Sequence, residues 1–134
     1  MFAALCDDDK YITEEIKKLL LEYAKDNRIT IDIDEFESGE ELLNSEKNYD
    51  IIVLDYQLGS TNGLTVAKEL RKRNVLSSII FLTSYPNFMI DAFEVNTFRF
   101  LLKPIDKSKF FKAIDDYIKI VDANYPITII QNKE

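Results

Sequence analysis

Phe2-Ala3-Ala4-Leu5-Cys6-Asp7-Asp8-Asp9 is an apolar run that stops on three acids, and Ile51-Ile52-Val53-Leu54-Asp55 repeats the pattern with one. Short, continuous apolar runs of this kind suit strands covered on both faces in a parallel sheet. Two such strands that end in carboxylate bring like charge to one edge of the sheet. Folding gains nothing from that, because close carboxylates repel and desolvation raises the pKa of at least one. A hard divalent cation with oxygen ligands, Mg2+ above all, resolves the conflict. Thr83 and Lys103 close two further apolar runs and add a hydroxyl and an ammonium. Carboxylates, hydroxyl and cation around a metal are the components of phosphoryl chemistry.

Outward from these runs, the chain alternates between strand and helix patterns. Residues 2–6 read as a buried strand. Ile12, Ile16, Leu19, Leu20 and Tyr23 then recur at helical spacing. Ile29-Thr30-Ile31-Asp32-Ile33 alternates like a half-exposed edge strand, with a short helix expected near 39–45. Residues 49–54 form the next buried strand, 59–63 a turn cluster and 64–73 a helix. Strands over 78–82 and 98–102 flank a weaker helix over 87–95. A last helix over 107–122 carries the stripe Phe110, Ile114, Tyr117 and Val121. Alternation of this kind predicts a parallel α/β sheet with right-handed crossovers and helices on both faces. Ligands of such sheets bind beyond the carboxyl ends of the strands. Asp7, Asp8, Asp55, Thr83 and Lys103 all fall at that edge.

Composition narrows the function further. The 134 residues suit one domain, and 46% hydrophobic with 31% charged is an ordinary globular balance. A net charge of -7 argues against DNA binding by this stretch, since phosphate neutralisation needs clustered Lys and Arg. The single cysteine, Cys6, excludes an intramolecular disulfide and precedes three acids, a poor setting for a nucleophilic thiolate. Histidine is absent, which removes Ser-His-Asp and Cys-His catalysis, His-ligated zinc and any phosphohistidine on the chain itself. No leader-like segment or bilayer-length apolar run is seen, so no membrane association and a cytoplasmic location are expected.

The ordered set resembles the receiver domain of two-component response regulators. The acidic pair follows strand one, and Asp55 ends Ile51-Ile52-Val53-Leu54 with Gly63 eight residues later. Thr83 closes strand four, and Lys103-Pro104 closes strand five. The resemblance covers residues 1–122 and implies a three-layer α/β/α sandwich of the flavodoxin-like receiver type, with strand order 2-1-3-4-5. It implies that Asp55 is the phosphoacceptor, with Mg2+ held by Asp7, Asp8, Asp55 and the backbone carbonyl of Gln57. Lys103 would hold a phosphoryl oxygen, Lys103-Pro104 would be a cis peptide, and Thr83 with Phe100 would form the switch. The donor would be a sensor histidine kinase, and phosphorylation would promote homodimerisation.

Thr83-Ser84-Tyr85, the 91–95 segment and 100–105 look most like receivers joined to a LytTR-type DNA-binding domain. Residues 123–134 would then be a linker and the start of that output domain, through which alone the protein would contact DNA and regulate transcription.

Two alternatives belong to other classes. A pseudo-receiver would keep the fold as an interaction module without phosphorylation, although every acid, the Thr and the Lys are retained. A phosphatase of the haloacid dehalogenase type wants a second Asp where Gln57 stands. In the favoured reading the chain is not an enzyme beyond accepting and slowly losing its own phosphoryl group. Asp9 reads as a helix N-cap rather than a ligand. Gly59 stands where Pro is frequent in the family, which should loosen its loop, and Phe100 stands where Tyr is frequent.

Overall fold

A computed structural model describes residues 1–124. Five parallel strands form one sheet: β1 (Phe2–Cys6), β2 (Asp32–Phe36), β3 (Ile51–Asp55), β4 (Ser78–Thr83) and β5 (Arg99–Leu102). Their order is β2-β1-β3-β4-β5, all neighbours parallel. The helices are α1 (Lys10–Asn27), α2 (Gly39–Leu43), α3 (Gly63–Lys72), α4 (Met89–Ala92) and α5 (Lys107–Asn124). No helix among the described residues is long and apolar enough to cross a membrane. The strand-like stretch expected from residue 127 lies outside the described residues.

The continuous apolar runs are explained by burial on both faces of the sheet. Ala4, Cys6, Ile52, Leu54, Ile79 and Phe81 face α2, α3 and α4, where they meet Leu42, Val66, Ala67, Leu70 and Ala92. The alternate residues Ala3, Leu5, Ile51, Val53, Ile80 and Leu82 face α1 and α5, against Ile16, Leu20, Phe110 and Ile114. The two-residue period of a strand thus sorts one apolar run into two cores. Asp9 caps α1, its Oδ1 accepting from the Tyr11 N–H at 2.9 Å. The other end closes at Arg28 in the left-handed region, φ 55°, with its N–H on the Ala24 and Lys25 carbonyls.

Three local differences from the sequence expectation have physical causes. The second strand is Asp32–Phe36, three residues later than its alternating pattern suggests. Pairing starts where β1 starts, at Phe2 with Asp32, so Ile29 and Ile31 pack against the α1 side before the ladder begins. The fourth helix is one α-helical turn between 3-10 segments at Pro86–Phe88 and Phe93–Val95. Pro86 begins it, left-handed Asn96 (φ 54°) ends it, and only Ala92 and Val95 are buried. The loop after β3 pairs Gln57–Leu58 with Thr61–Asn62 as a small antiparallel hairpin. Gly59, at φ 61°, occupies the first position of its two-residue turn, which favours a residue without Cβ. The pairing sets Gln57 opposite Asn62 and Leu58 opposite Thr61.

Candidate functional site

Parallel pairing carries the acids to one place. Cys6 lies beside Leu54 in the ladder, so Asp7, the next residue, emerges beside Asp55 at the end of β3. The Tyr56 N–H bonds the Leu82 carbonyl at 2.9 Å and the Lys103 N–H bonds the Thr83 carbonyl at 2.8 Å, which continues the ladder past the strand ends. Asp7, Asp55 and Thr83 are buried, while Asp8 is exposed at the rim. A carboxylate oxygen from each of Asp7, Asp8 and Asp55 lies within 4.8 Å of the other two.

Lys103 joins this group from β5. Its Nζ lies 3.3 Å from Asp7 Oδ2 and 3.2 Å from Asp55 Oδ1. The peptide it makes with Pro104 is cis. Backbone donors complete the shell, with the Asp9 N–H on Asp7 Oδ1 at 2.8 Å and the Gln57 N–H on Asp55 Oδ1 at 3.2 Å. Desolvation and then the charge of Asp7 push the Asp55 carboxyl up to about 6, although Lys103 and the Gln57 N–H oppose the rise. Burial acts to lower the Lys103 pKa, but attraction to Asp55 and Asp7 outweighs it and the net direction is upward.

Three carboxylates against one ammonium leave the pocket net negative with converging oxygens, and one of the acids opens to solvent. That donor set fits a hard divalent cation such as Mg2+. Asp9 is not one of the converging acids; its side chain caps α1. Gln57, two residues after Asp55, begins the hairpin strand with its side chain exposed.

Thr83 Oγ1 accepts from the Tyr85 N–H at 3.2 Å. Phe100 pairs with Phe81 in the ladder and packs half-buried on the α3–α4 core. The sequence offers no account of why Gly63 sits where it does. Its N–H donates to the Tyr56 carbonyl at 2.6 Å, and a Cβ there would lie 2.4 Å from the Asp55 carbonyl oxygen. Only glycine lets the start of α3 approach the acceptor's backbone so closely. The spacing of Asp55 and Gly63 was visible in the sequence, but the approach it serves was not. A groove of about 810 Å3 between α2 and α3 contains none of these carboxylates.

The response regulator receiver domain family matches residues 3–115. The chain is 34% identical over 120 residues to the sensory transduction protein LytT of Bacillus cereus, covering 89% of this chain and 48% of that protein. It is 32% identical over 117 residues to LytR of Staphylococcus epidermidis, covering 86% of this chain and 45% of that one. The chain thus spans about half the length of these curated relatives. Among solved structures it resembles the response regulator TrrA of Thermotoga maritima, crystallised in complex with Mg2+-BeF. The TM-score is 0.75 at 28% identity, over 87% of this chain and 97% of that one.

Proposed function

The chain belongs to the response regulator receiver domain family, and on that footing we propose that Asp55 accepts a phosphoryl group from a sensor histidine kinase. The observation that carries this is the convergence of Asp7, Asp8 and Asp55 oxygens within 4.8 Å, with Lys103 Nζ 3.2 Å from Asp55. A carboxyl with a pKa of about 6 is ionised at neutral pH, so Asp55 is available as a nucleophile. One of its oxygens forms the new bond to phosphorus as the donor's phosphorus–nitrogen bond breaks. The chain has no histidine, so the donor residue belongs to the partner.

Asp7, Asp8, Asp55 and the Gln57 carbonyl are the groups that would hold Mg2+. When bound, that ion neutralises charge on the transferring phosphoryl oxygens. Lys103 moves its ammonium from the Asp55 carboxylate to a phosphoryl oxygen. Thr83 offers its hydroxyl to another, and the space it leaves lets Phe100 turn further inward. Burying a Phe side chain fully is worth about 1.5–3 kcal/mol relative to exposure, enough to bias a two-state surface.

Catalysis by the chain is limited to its own phosphorylation and dephosphorylation. The likeness to LytT and LytR, and the coverage of only about half their length, support a LytTR-type output domain that contacts DNA. Transcriptional control in the cytoplasm, with homodimerisation on phosphorylation, completes the proposal.

Intact-mass measurement after incubation with acetyl phosphate and Mg2+ tests the reading. One phosphoryl group should be gained, and none by Asp55→Asn or in excess chelator. An unchanged wild-type mass would mean a pseudo-receiver.

A further inference from the structure

The residue that follows Asp55 is a tyrosine with no part in the chemistry above. Tyr56 is buried, and its backbone is bonded on both sides, to the Leu82 carbonyl and the Gly63 N–H. It cannot shift without disturbing β4 or the start of α3. Its ring lies face to face on Phe88, with centroids 4.1 Å apart and planes 8° from parallel, and meets Phe81 at 5.8 Å. Its hydroxyl donates to Asp91 Oδ2 at 3.2 Å. Phe88 and Asp91 both belong to the α4 segment, 33 and 36 residues beyond Asp55 in sequence.

Elsewhere the segment is held by buried Ala92 and Val95, by the Thr97 hydroxyl donating to the Ala92 carbonyl at 2.6 Å, and by the exposed Lys68–Glu94 ion pair at 3.5 Å. It holds a single α-helical turn, and Ile90 and Phe93 are exposed to 77% and 76%. Its far end is held by Arg71 of α3, which donates to the Val95 carbonyl at 2.8 Å and the Asn96 carbonyl at 3.2 Å. Its near end rests on Tyr56. The Thr83 side reaches the same aromatic group, because the Tyr85 N–H bonds Thr83 Oγ1 and the Tyr85 ring meets Phe88 edge-on at 5.9 Å. A Thr83 hydroxyl drawn toward a phosphoryl group would withdraw the acceptor of the Tyr85 N–H and disturb Phe88 from that side. Phe100 offers no hydroxyl of its own.

We propose that Tyr56 is the latch between the acceptor site and α4. In the resting protein its bond to Asp91 and its stack on Phe88 hold the α4 segment against the sheet, and phosphorylation releases that hold. The second half of this statement rests on Asp55 being the phosphoacceptor; the first does not. Segments with few buried contacts sit at the low end of local stability, so one hydrogen bond can set how often they open.

Amide hydrogen exchange over residues 86–95 of the full chain tests the latch. Wild type, Tyr56→Phe, Asp91→Ala and the double variant are compared at rest and with beryllofluoride and Mg2+. Phe at position 56 keeps the stack and removes only the hydroxyl. At rest, Tyr56→Phe and Asp91→Ala should each exchange about fivefold faster than wild type in this segment, the effect of one ordinary hydrogen bond. The double variant should go no faster than the quicker single one, and α1 and α5 should not change. Beryllofluoride should bring wild type up to the variants' rates and add little to Tyr56→Phe. Unchanged resting exchange in Tyr56→Phe, or strictly additive single effects, would overturn the latch. If wild type takes up phosphoryl on Asp55 yet α4 exchanges identically with and without beryllofluoride, the release step is wrong. If wild type takes up none, the phosphoacceptor reading fails and the release step with it, while the resting comparison still judges the latch.

Discussion

Replacing Asp55 by Asn should make the metal-free protein more stable, by an amount that depends on pH in a particular direction. The Asp55 carboxyl rises from 3.8 to about 6 on folding, chiefly by desolvation and then by the charge of Asp7. The native state therefore keeps a proton on Asp55 in the window between those values, where the unfolded chain has lost it. Since stability falls with pH wherever the native state binds more protons, Asp55 withdraws stability as pH climbs through that window and reaches a plateau above it. Each tenfold change in acid dissociation corresponds to about 1.4 kcal/mol, which sets a ceiling of about 3 kcal/mol. Water reaches the pocket past exposed Asp8, and Lys103 loses its contact with Asp55 but keeps Asp7. Both reduce the gain, so about 1–2 kcal/mol above pH 7 is expected, and close to zero near pH 4. Urea unfolding of both proteins in chelator, at intervals from pH 4.5 to 8, measures it, and the difference cancels every shared group that does not interact with Asp55. A difference that stays flat with pH, or a variant less stable than wild type at pH 7.5, would refute the strained-carboxylate account of the pocket.

Mg2+ should stabilise wild type, because the unfolded chain does not assemble Asp7, Asp8 and Asp55. At a concentration about a hundredfold above its Kd the gain is about 2.7 kcal/mol. Asp8→Asn should remove most of that gain in a thermal melt, and a wild-type melting curve indifferent to Mg2+ would contradict the site. Gly63→Ala should cost about 2 kcal/mol or more in urea unfolding, because its Cβ would sit 2.4 Å from the Asp55 carbonyl oxygen and backbone must give way. It should also slow phosphoryl uptake, since the atoms displaced belong to the acceptor residue. A Gly63→Ala protein as stable and as reactive as wild type would mean that α3 can retreat without cost.

Much of this was open to reading in one dimension because it depends on local periodicity. Runs such as Phe2–Cys6 and Ile51–Asp55 carry no polar alternation, which only a strand covered on both faces tolerates. Strand ends then follow from where the apolar run stops, so the C-terminal edge and its acids could be located without coordinates. The stripe of Ile16, Leu20 and Tyr23 likewise announces the buried face of α1. The alternating pattern puts the second strand too early because Ile29, Ile31 and Ile33 alternate as well as the residues that pair do. What decides among them is the partner β1, which a local pattern does not contain.

Residue order was enough for the class of fold, the edge of the sheet where chemistry could occur and the residue types gathered there. Strand period, apolar continuity and the handedness of crossovers are properties of short stretches of chain, so they survive without a third dimension. Packing in three dimensions was needed to see that Lys103 bridges Asp7 and Asp55, that Gly63 presses on the acceptor's backbone, that α4 is a single turn and that Tyr56 reaches Asp91. Those facts are distances between groups remote in the chain. They are set by how two cores pack on one twisted sheet, to a tolerance of a few tenths of an ångström that no residue pattern encodes.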